Sequence, residues 1–404
     1  MVLRYGSTMK LNQGTPMVAI PGPSILPDRV RAALARPMPN IYEGYLVDLS
    51  FDVLRRLPAI ARTDGKAFIL ASNGHGAWQM AIANTVHPGD KVLALESGRF
   101  AVLWGEYASL AGAELDVLPG DFSNPVDMVA LRARLVDDQS HSISALLVSH
   151  TDTSSSVRND IPAIRATLDE LGHPALLMVD CIASLGTDRF EMDAWGVDLV
   201  VGASQKGLMC PPGLGLVWAG PRALEAMDLD AVRAGYLDWE SRTDPDKFYE
   251  IFAGTPPVAH IHALSEALDL IDEEGGLEQV WARHQALADG VRAAVDAWST
   301  PGGMRLNISS VDHRSNAVTT VLTGAIDAAE LRRRCESLGG LTLGIGISDA
   351  PDNSFRIGHM GWLNAPMILG TLATIEAGLV SMAAPIGGSG VAAAAATIGD
   401  AFNH

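Results

Sequence analysis

The chain has 404 residues, 48% of them hydrophobic and 19% charged, with a formal net charge of -18 at pH 7. That length and apolar content predict a globular protein of two domains rather than a disordered chain. The excess of carboxylates disfavours a nucleic-acid backbone or an anionic membrane surface as partner. Three scattered cysteines, Cys181, Cys210 and Cys335, form neither a disulfide framework nor a zinc motif, which points to a reducing, cytoplasmic setting.

Met1–Lys10 carries no apolar segment of the kind that directs export. From about Lys66, short apolar strands alternate with helical spacings. In chain order the pattern predicts a strand at Ala67–Ala71, a helix at Trp78–Val86, a turn at Pro88–Asp90 and a strand at Lys91–Leu95. A helix at Trp104–Ala111, a strand at Ser144–Ser149, a helix at Ile161–Leu171 and strands at Ala175–Asp180 and Leu199–Gly202 follow. The strands are far too short to cross a bilayer. Nearly continuous apolar strands between helices predict an α/β fold, with a parallel sheet covered on both faces.

A long helical region is predicted over Val258–Trp298. Beyond it come a strand at Asn316–Leu322, a helix at Ala328–Leu338, strands near Leu341–Gly344 and Ser354–His359, and a helix at Ala365–Ala383. A short helix at Val391–Ala396 ends the pattern. Fewer, mixed strands packed by helices suggest a smaller α+β domain. The expected division is a large domain over 21–285 and a small one over 286–404, completed by 1–20.

Ligands of open α/β sheets bind beyond the C-terminal ends of the strands, so the strand ends are read for chemistry. Ala71-Ser-Asn-Gly-His-Gly76 joins a strand to a helix start, where bare N–H groups and the helix dipole make a phosphate cradle, or simply a turn. Asp180 closes an apolar strand; it is either a helix-type cap or the partner of a cation such as a pyridinium nitrogen. Lys206 follows the apolar run Leu199–Val201 closely enough for desolvation to lower its pKa, as a covalently reacting amine requires. Arg356, a lone charge in Phe355–Met360, suits a planar clamp on a carboxylate. His359 beside it reads as a packed, hydrogen-bonded histidine.

The ordered set Pro21-Gly-Pro23, Ser72-Asn-Gly-His-Gly76, Pro88-Gly-Asp90, Val179-Asp-Cys-Ile-Ala-Ser184, Ala203-Ser-Gln-Lys-Gly207, Pro211-Pro-Gly213, Thr255-Pro-Pro257 and Arg356-Ile-Gly-His-Met-Gly361 resembles the class V aminotransferases. The likeness is greatest to the alanine–glyoxylate and serine–glyoxylate enzymes. It implies the fold-type-I architecture of pyridoxal 5'-phosphate (PLP)-dependent transferases, the cofactor PLP, and transfer of an amino group from a small amino acid to a small 2-oxo acid. It implies that Lys206 holds the cofactor covalently and Asp180 binds its ring nitrogen. Phe100 would stack on the ring, Gly74, His75 and Gln205 would bind the phosphate, and Thr153 would lie near the phenolic oxygen. Arg356 would hold the substrate carboxylate, with Tyr42 in the segment bordering the substrate. Thr255 would reach the phosphate of the neighbouring subunit, making the active site that of a homodimer.

The resemblance has three departures. Phe252 stands where a tyrosine is common, Ser155-Ser156 replaces a usual Thr-Gly, and Asn40–Tyr45 lacks the arginine found in serine–glyoxylate enzymes. A competing reading is a pyridoxamine–pyruvate aminotransferase, suggested by Leu237–Glu240 and His150–Thr153, although His75 stands where an acidic residue would be expected there. A cysteine desulfurase would need a mobile cysteine, whereas Cys335 falls in a helical pattern. A non-enzymatic scaffold is disfavoured by the presence of Lys206, Asp180 and Arg356 together.

Overall fold

The computed structural model describes residues 11–226, 235–243, 247–347 and 353–403. Met1–Lys10, on which the reading of the leader segment falls, lies outside them. The described strands are β1 (Met17–Ala19), β2 (Lys66–Ser72), β3 (Lys91–Leu95), β4 (Glu114–Leu118), β5 (Ile143–Ser149), β6 (Thr151–Asp152), β7 (Val157–Arg158), β8 (Leu176–Asp180), β9 (Leu199–Ala203), β10 (Gly213–Ala219), β11 (Arg305–Leu306), β12 (Val318–Leu322), β13 (Leu341–Ile345) and β14 (Ser354–Gly358).

Seven strands form one sheet in the order β2-β10-β9-β8-β5-β3-β4. β10 runs antiparallel to both of its neighbours, so the other six share one direction. Alternate residues of β8 enter two different cores: Leu177 and Val179 join one, Leu176 and Met178 the other. Burial on both faces is the physical reason these strands read as unbroken apolar runs.

Five strands form a second sheet, ordered β1-β13-β14-β12-β11, in which β1 pairs parallel with β13 and the remaining pairs are antiparallel. Helices Leu277–Trp298 and Ala328–Gly339 pack on it, and Ala365–Ser381 and Gly390–Ala401 pack against these helices and each other, around a third core containing Trp298, Phe355 and Ile357.

The long helical region expected over Val258–Trp298 is two helices, Val258–Glu273 and Leu277–Trp298. Gly275 and Gly276, at φ +109° and +85°, break it in a conformation that other residues rarely adopt. The short terminal helix extends over Gly390–Ala401, capped by the Ser389 side chain. Helices Tyr45–Ala61 and Met128–Asp137 and strands β4 and β10 have no counterpart in the sequence reading. β10 escaped notice because glycines weaken a strand pattern. Gly215 within it has a steric reason: a Cβ there would stand 2.6 Å from Ser72 Oγ and 2.9 Å from Asn73 O. Its absence lets β10 pack against the turn that opens the candidate site.

Candidate active site

The parallel strands bring three chemical groups to one edge of the sheet. β9 ends at Ala203 and leads into Ser204-Gln205-Lys206. That loop is pinned from within by Cys210 N–H donating to Ser204 O (2.9 Å). The Pro-Gly-Pro-Ser segment crosses it: Ser24 N–H donates to Gln205 O (2.9 Å) and Ser24 Oγ to Lys206 O (2.8 Å). Lys206 Nζ donates to Pro21 O. Gly22 lies at φ +90°, and a Cβ on it would fall 2.5 Å from Lys206 Nζ, so glycine lets this segment lie directly on the lysine. Burial lowers the Lys206 amine to about 8; the Arg356 charge acts in the same sense and Asp180 opposes it.

Asp180, at the end of β8, is 5% exposed. Its Oδ1 accepts from Ile182 N–H (2.7 Å) and its Oδ2 from Trp78 Nε1–H (3.2 Å). Both roles weighed for this residue therefore have structural content: the carboxylate stabilises its own turn and also faces the cavity. Burial pushes its carboxyl up to about 7, against the opposing pull of the Ile182 N–H.

Helix Gly74–Thr85 starts at the end of β2. Asn73 caps it, its Oδ1 accepting from His75 N–H (3.1 Å) and Gly76 N–H (3.4 Å). The His75 amide, expected to serve a phosphate, is thus also engaged by the cap. Gly74 is in tight contact: a Cβ there would meet Ile182 Cδ1 at 2.4 Å. The His75 ring lies 4.5 Å from that of Trp78, and burial lowers its pKa.

The facing wall is organised by Asp152, a buried carboxylate that the sequence reading passed over. It accepts from Phe100 N–H (2.8 Å) and Ser154 N–H (2.8 Å), which fixes the start of helix Phe100–Leu110 against the Thr151–Ser154 turn. Arg356 in β14 reaches the same turn. Its Nη1 donates to Thr153 O (2.7 Å) and its Nε to Ile345 O (2.7 Å). Burial lowers the Arg356 guanidinium to about 10, with Asp152 opposing.

Gly74, His75, Phe100, Thr153, Asp180, Gln205 and Lys206 line one cavity of about 180 Å³. Asn73, Trp78, Thr151, Ile182 and Ala183 complete it. Trp78 was legible only as part of a helical spacing; its one sequence signal is its place four residues after Gly74, one helical turn along. Arg356 stands behind this wall, near enough for its charge to act on Lys206. Tyr42, 74% exposed, and Thr255, also exposed, lie outside the cavity within a single chain.

Of the neighbouring residues, His359 is fully buried, its Nδ1 donating to Asn316 O (2.8 Å) and its Nε2 accepting from Thr319 Oγ1 (2.9 Å). It is the packed histidine expected. Cys335 is buried within helix Ala328–Gly339, and Phe252 is buried against Phe248 at 5.7 Å between ring centroids. Ser156 adopts φ +71°, the left-handed conformation that a glycine takes without strain. Among the described residues, no cluster of His, Cys, Asp and Glu could hold a metal ion, and no helix is long and apolar enough to cross a membrane.

The donor set fits pyridoxal phosphate. Asp180 offers a buried carboxylate whose protein partners are both N–H donors, suited to a protonated ring nitrogen. Lys206 brings an amine with a lowered pKa to the same cavity, and Gln205 Oε1 is buried without a partner among the described residues. The capped helix start at Gly74 lies at the cavity wall, where a helix dipole favours an anion.

The comparisons with known proteins agree with this arrangement. The family model described as aminotransferase class-V matches residues 60–346. The serine–glyoxylate aminotransferase of Arabidopsis thaliana is 37% identical over 381 residues, 93% of either chain. The L-aspartate–glyoxylate aminotransferase of Paracoccus denitrificans is 34% identical over 93% of this chain and 94% of its own. The crystal structure of pyridoxamine–pyruvate aminotransferase from Mesorhizobium loti superposes with a TM-score of 0.87 at 28% identity, covering 97% of this chain and 100% of that one. With a half-buried lysine and a buried aspartate in one strand-end cavity, an arginine behind it, and likeness over most of its length, this chain belongs to the class-V aminotransferases.

Proposed function

We propose that the protein transfers the amino group of a small amino acid of the serine or alanine type to a small 2-oxo acid, glyoxylate or pyruvate, with pyridoxal phosphate held on Lys206. The observation that carries this reading is the meeting of Lys206 and Asp180 in one cavity, with the buried Arg356 close enough to act on the lysine amine. When bound, the cofactor supplies an electron sink for the pair left as a substrate Cα–H bond breaks. Lys206 Nζ, lowered by burial to a pKa of about 8, would take that proton and hold it for delivery elsewhere in the site. Asp180 would offer a negative charge to the ring nitrogen, and Gly74, His75 and Gln205 would hold the phosphate. Phe100 would pack on the ring and Thr153 would lie near its phenolic oxygen. Arg356 orients the substrate carboxylate through N–H groups beyond the two already given to Ile345 and Thr153.

The names of relatives support glyoxylate as the acceptor, since two of them with different donors share it. The alternative, free pyridoxamine as donor, draws support from the structural likeness to the pyridoxamine–pyruvate enzyme. His75 at the helix start weighs against it, because the acidic residue that would repel a phosphate there is absent. A matrix of half-reactions separates the two. Small amino acids should convert the cofactor form and glyoxylate or pyruvate should restore it; turnover of free pyridoxamine without amino acids would overturn the reading.

The exposure of Thr255 and Tyr42 supports a homodimer in which Thr255 of the partner subunit completes the phosphate site and Tyr42 borders the substrate. Two domains, 21–285 and 286–404 with 1–20, are supported by the core packing of helix Leu277–Trp298. Leu277 and Val280 join the core of the seven-stranded sheet, whereas Leu287 and Val291 join that of the five-stranded sheet. The acidic composition and scattered cysteines support a cytoplasmic location.

A further inference from the structure

We propose that Trp78 is a positioning residue for Asp180, fixing the carboxylate in the ionised, oriented form that a cationic ring nitrogen requires. The inference rests on the reading of the cavity as a pyridoxal phosphate site, and concerns a residue that the sequence placed only in a helix.

The argument begins with the chemistry of the two partners. A backbone amide and an indole N–H can donate but cannot accept. Ile182 N–H occupies one oxygen of Asp180 and Trp78 Nε1–H the other. A protonated carboxyl would have to place an O–H, and neither partner can receive it. The pair therefore favours the carboxylate over the acid, against the burial that favours the acid. Each oxygen keeps lone-pair capacity for a ligand, and with one donor on each, rotation of the carboxylate would break at least one bond.

The two donors differ in origin. Ile182 lies two residues from Asp180 and its amide comes with the local turn. Trp78 lies 102 residues earlier in the chain, on the helix that starts at the cavity's phosphate end. Its indole is 0% exposed and held on several sides. It stacks on Trp104 with centroids 6.1 Å apart and planes at 16°, and meets Tyr107 edge-on at 5.8 Å. An indole fixed in this way presents its N–H without a loss of side-chain freedom at the time of ligand binding. The same indole contacts the His75 ring, so one side chain joins the helix start to the residue facing the ring nitrogen.

The test uses affinity rather than turnover. Trp78→Phe keeps an aromatic ring and removes the donor. Binding of pyridoxal phosphate and of its analogue with carbon in place of the ring nitrogen is measured by equilibrium dialysis on both proteins. Wild type should prefer pyridoxal phosphate, and the variant should lose that preference by roughly tenfold, the scale of one charge-assisted hydrogen bond, with the analogue binding unchanged. In an Asp180→Asn background the Trp78 change should have no further effect on the preference. Equal weakening of both compounds would show that Trp78 only packs, and an unchanged preference would show that Asp180 does not need it; either overturns the inference while leaving the cofactor reading intact. Wild-type protein that binds neither compound overturns the cofactor reading itself and this inference with it. Should Trp78→Phe not fold, Trp78→Gln, which retains an N–H donor, and Trp78→Leu, which does not, carry the same comparison.

Discussion

Asp180 imposes a stability penalty that is measurable on the cofactor-free protein. Burial raises its carboxyl from 3.8 to about 7, so between those values the folded protein holds a proton that the unfolded chain has released. Stability must therefore fall as pH rises through this window, and the loss is complete above about 7. At about 1.4 kcal/mol per pH unit the rise amounts to about 4 kcal/mol, a large share of the stability of an ordinary domain. Asp180→Asn removes the titration. Its amide meets two N–H donors with only one acceptor atom, which adds a penalty that does not depend on pH. The difference in unfolding free energy, wild type minus variant, should therefore decline by about 4 kcal/mol from pH 4 to 7.5. The assay is urea unfolding of both apoproteins at several pH values, followed by circular dichroism. The Lys206 amine, lowered to about 8, titrates mostly above this range and with opposite sign. Parallel pH profiles for the two proteins would refute the argument, since the Asp180 carboxyl would then not be held away from its ordinary pKa.

Three further predictions concern the same region. Lys206→Ala should abolish the visible absorbance of bound cofactor and its reductive fixation by borohydride while the circular dichroism spectrum persists; fixation at another lysine would refute the assignment. Arg356→Lys keeps the charge but loses the planar fork, so the amino-acid and oxo-acid half-reactions should each slow by roughly 10- to 100-fold in single-turnover absorbance measurements. If neither responds, Arg356 is not the carboxylate anchor. Ser156 combines a left-handed backbone with a side-chain hydrogen bond to Thr320 Oγ1, so Ser156→Ala, which keeps the strain and loses the bond, should be less stable than Ser156→Gly by about 1 kcal/mol in thermal unfolding.

The strands that carry Asp180 and Lys206 were legible because both faces of the large sheet are buried, and burial writes an unbroken apolar run into the sequence. β3 and helix Ile161–Leu171 were read to the residue, since Pro88-Gly-Asp90 and the Asp160-Ile-Pro162 start punctuate them sharply. β10 was missed because its glycines serve close approaches, Gly215 to Ser72 and Asn73 and Gly213 to His260, contacts visible only once the chain is folded. The break at Gly275-Gly276 was present as a pair of glycines, but helical spacing resumes immediately on either side. Among site residues, those with reactive side chains were found and those acting on them were not. Asp152 organises the Phe100 wall through backbone amides, and Trp78 acts through one indole N–H; neither residue type in isolation carries a chemical signature.

The displaced charges of the site share a cause. Burial pushes Lys206 down, Arg356 down, Asp180 up and Asp152 up, each toward its neutral form, within one region of the structure. In a core selected only for stability such groups would be replaced or fully paired, because a buried charge without full compensation is among the most destabilising features a protein can hold. Here the pairing is incomplete by construction. Asp180 has donors on both oxygens but no contacting cation among the described residues, and Arg356 spends two N–H groups on carbonyls and faces Lys206, a like charge, at short enough range to lower the amine's pKa. A ligand with a cationic ring nitrogen for Asp180 and a carboxylate for Arg356 supplies what each lacks. On the proposed reading, the charges that destabilise this region are those that a pyridoxal phosphate–amino acid pair would neutralise.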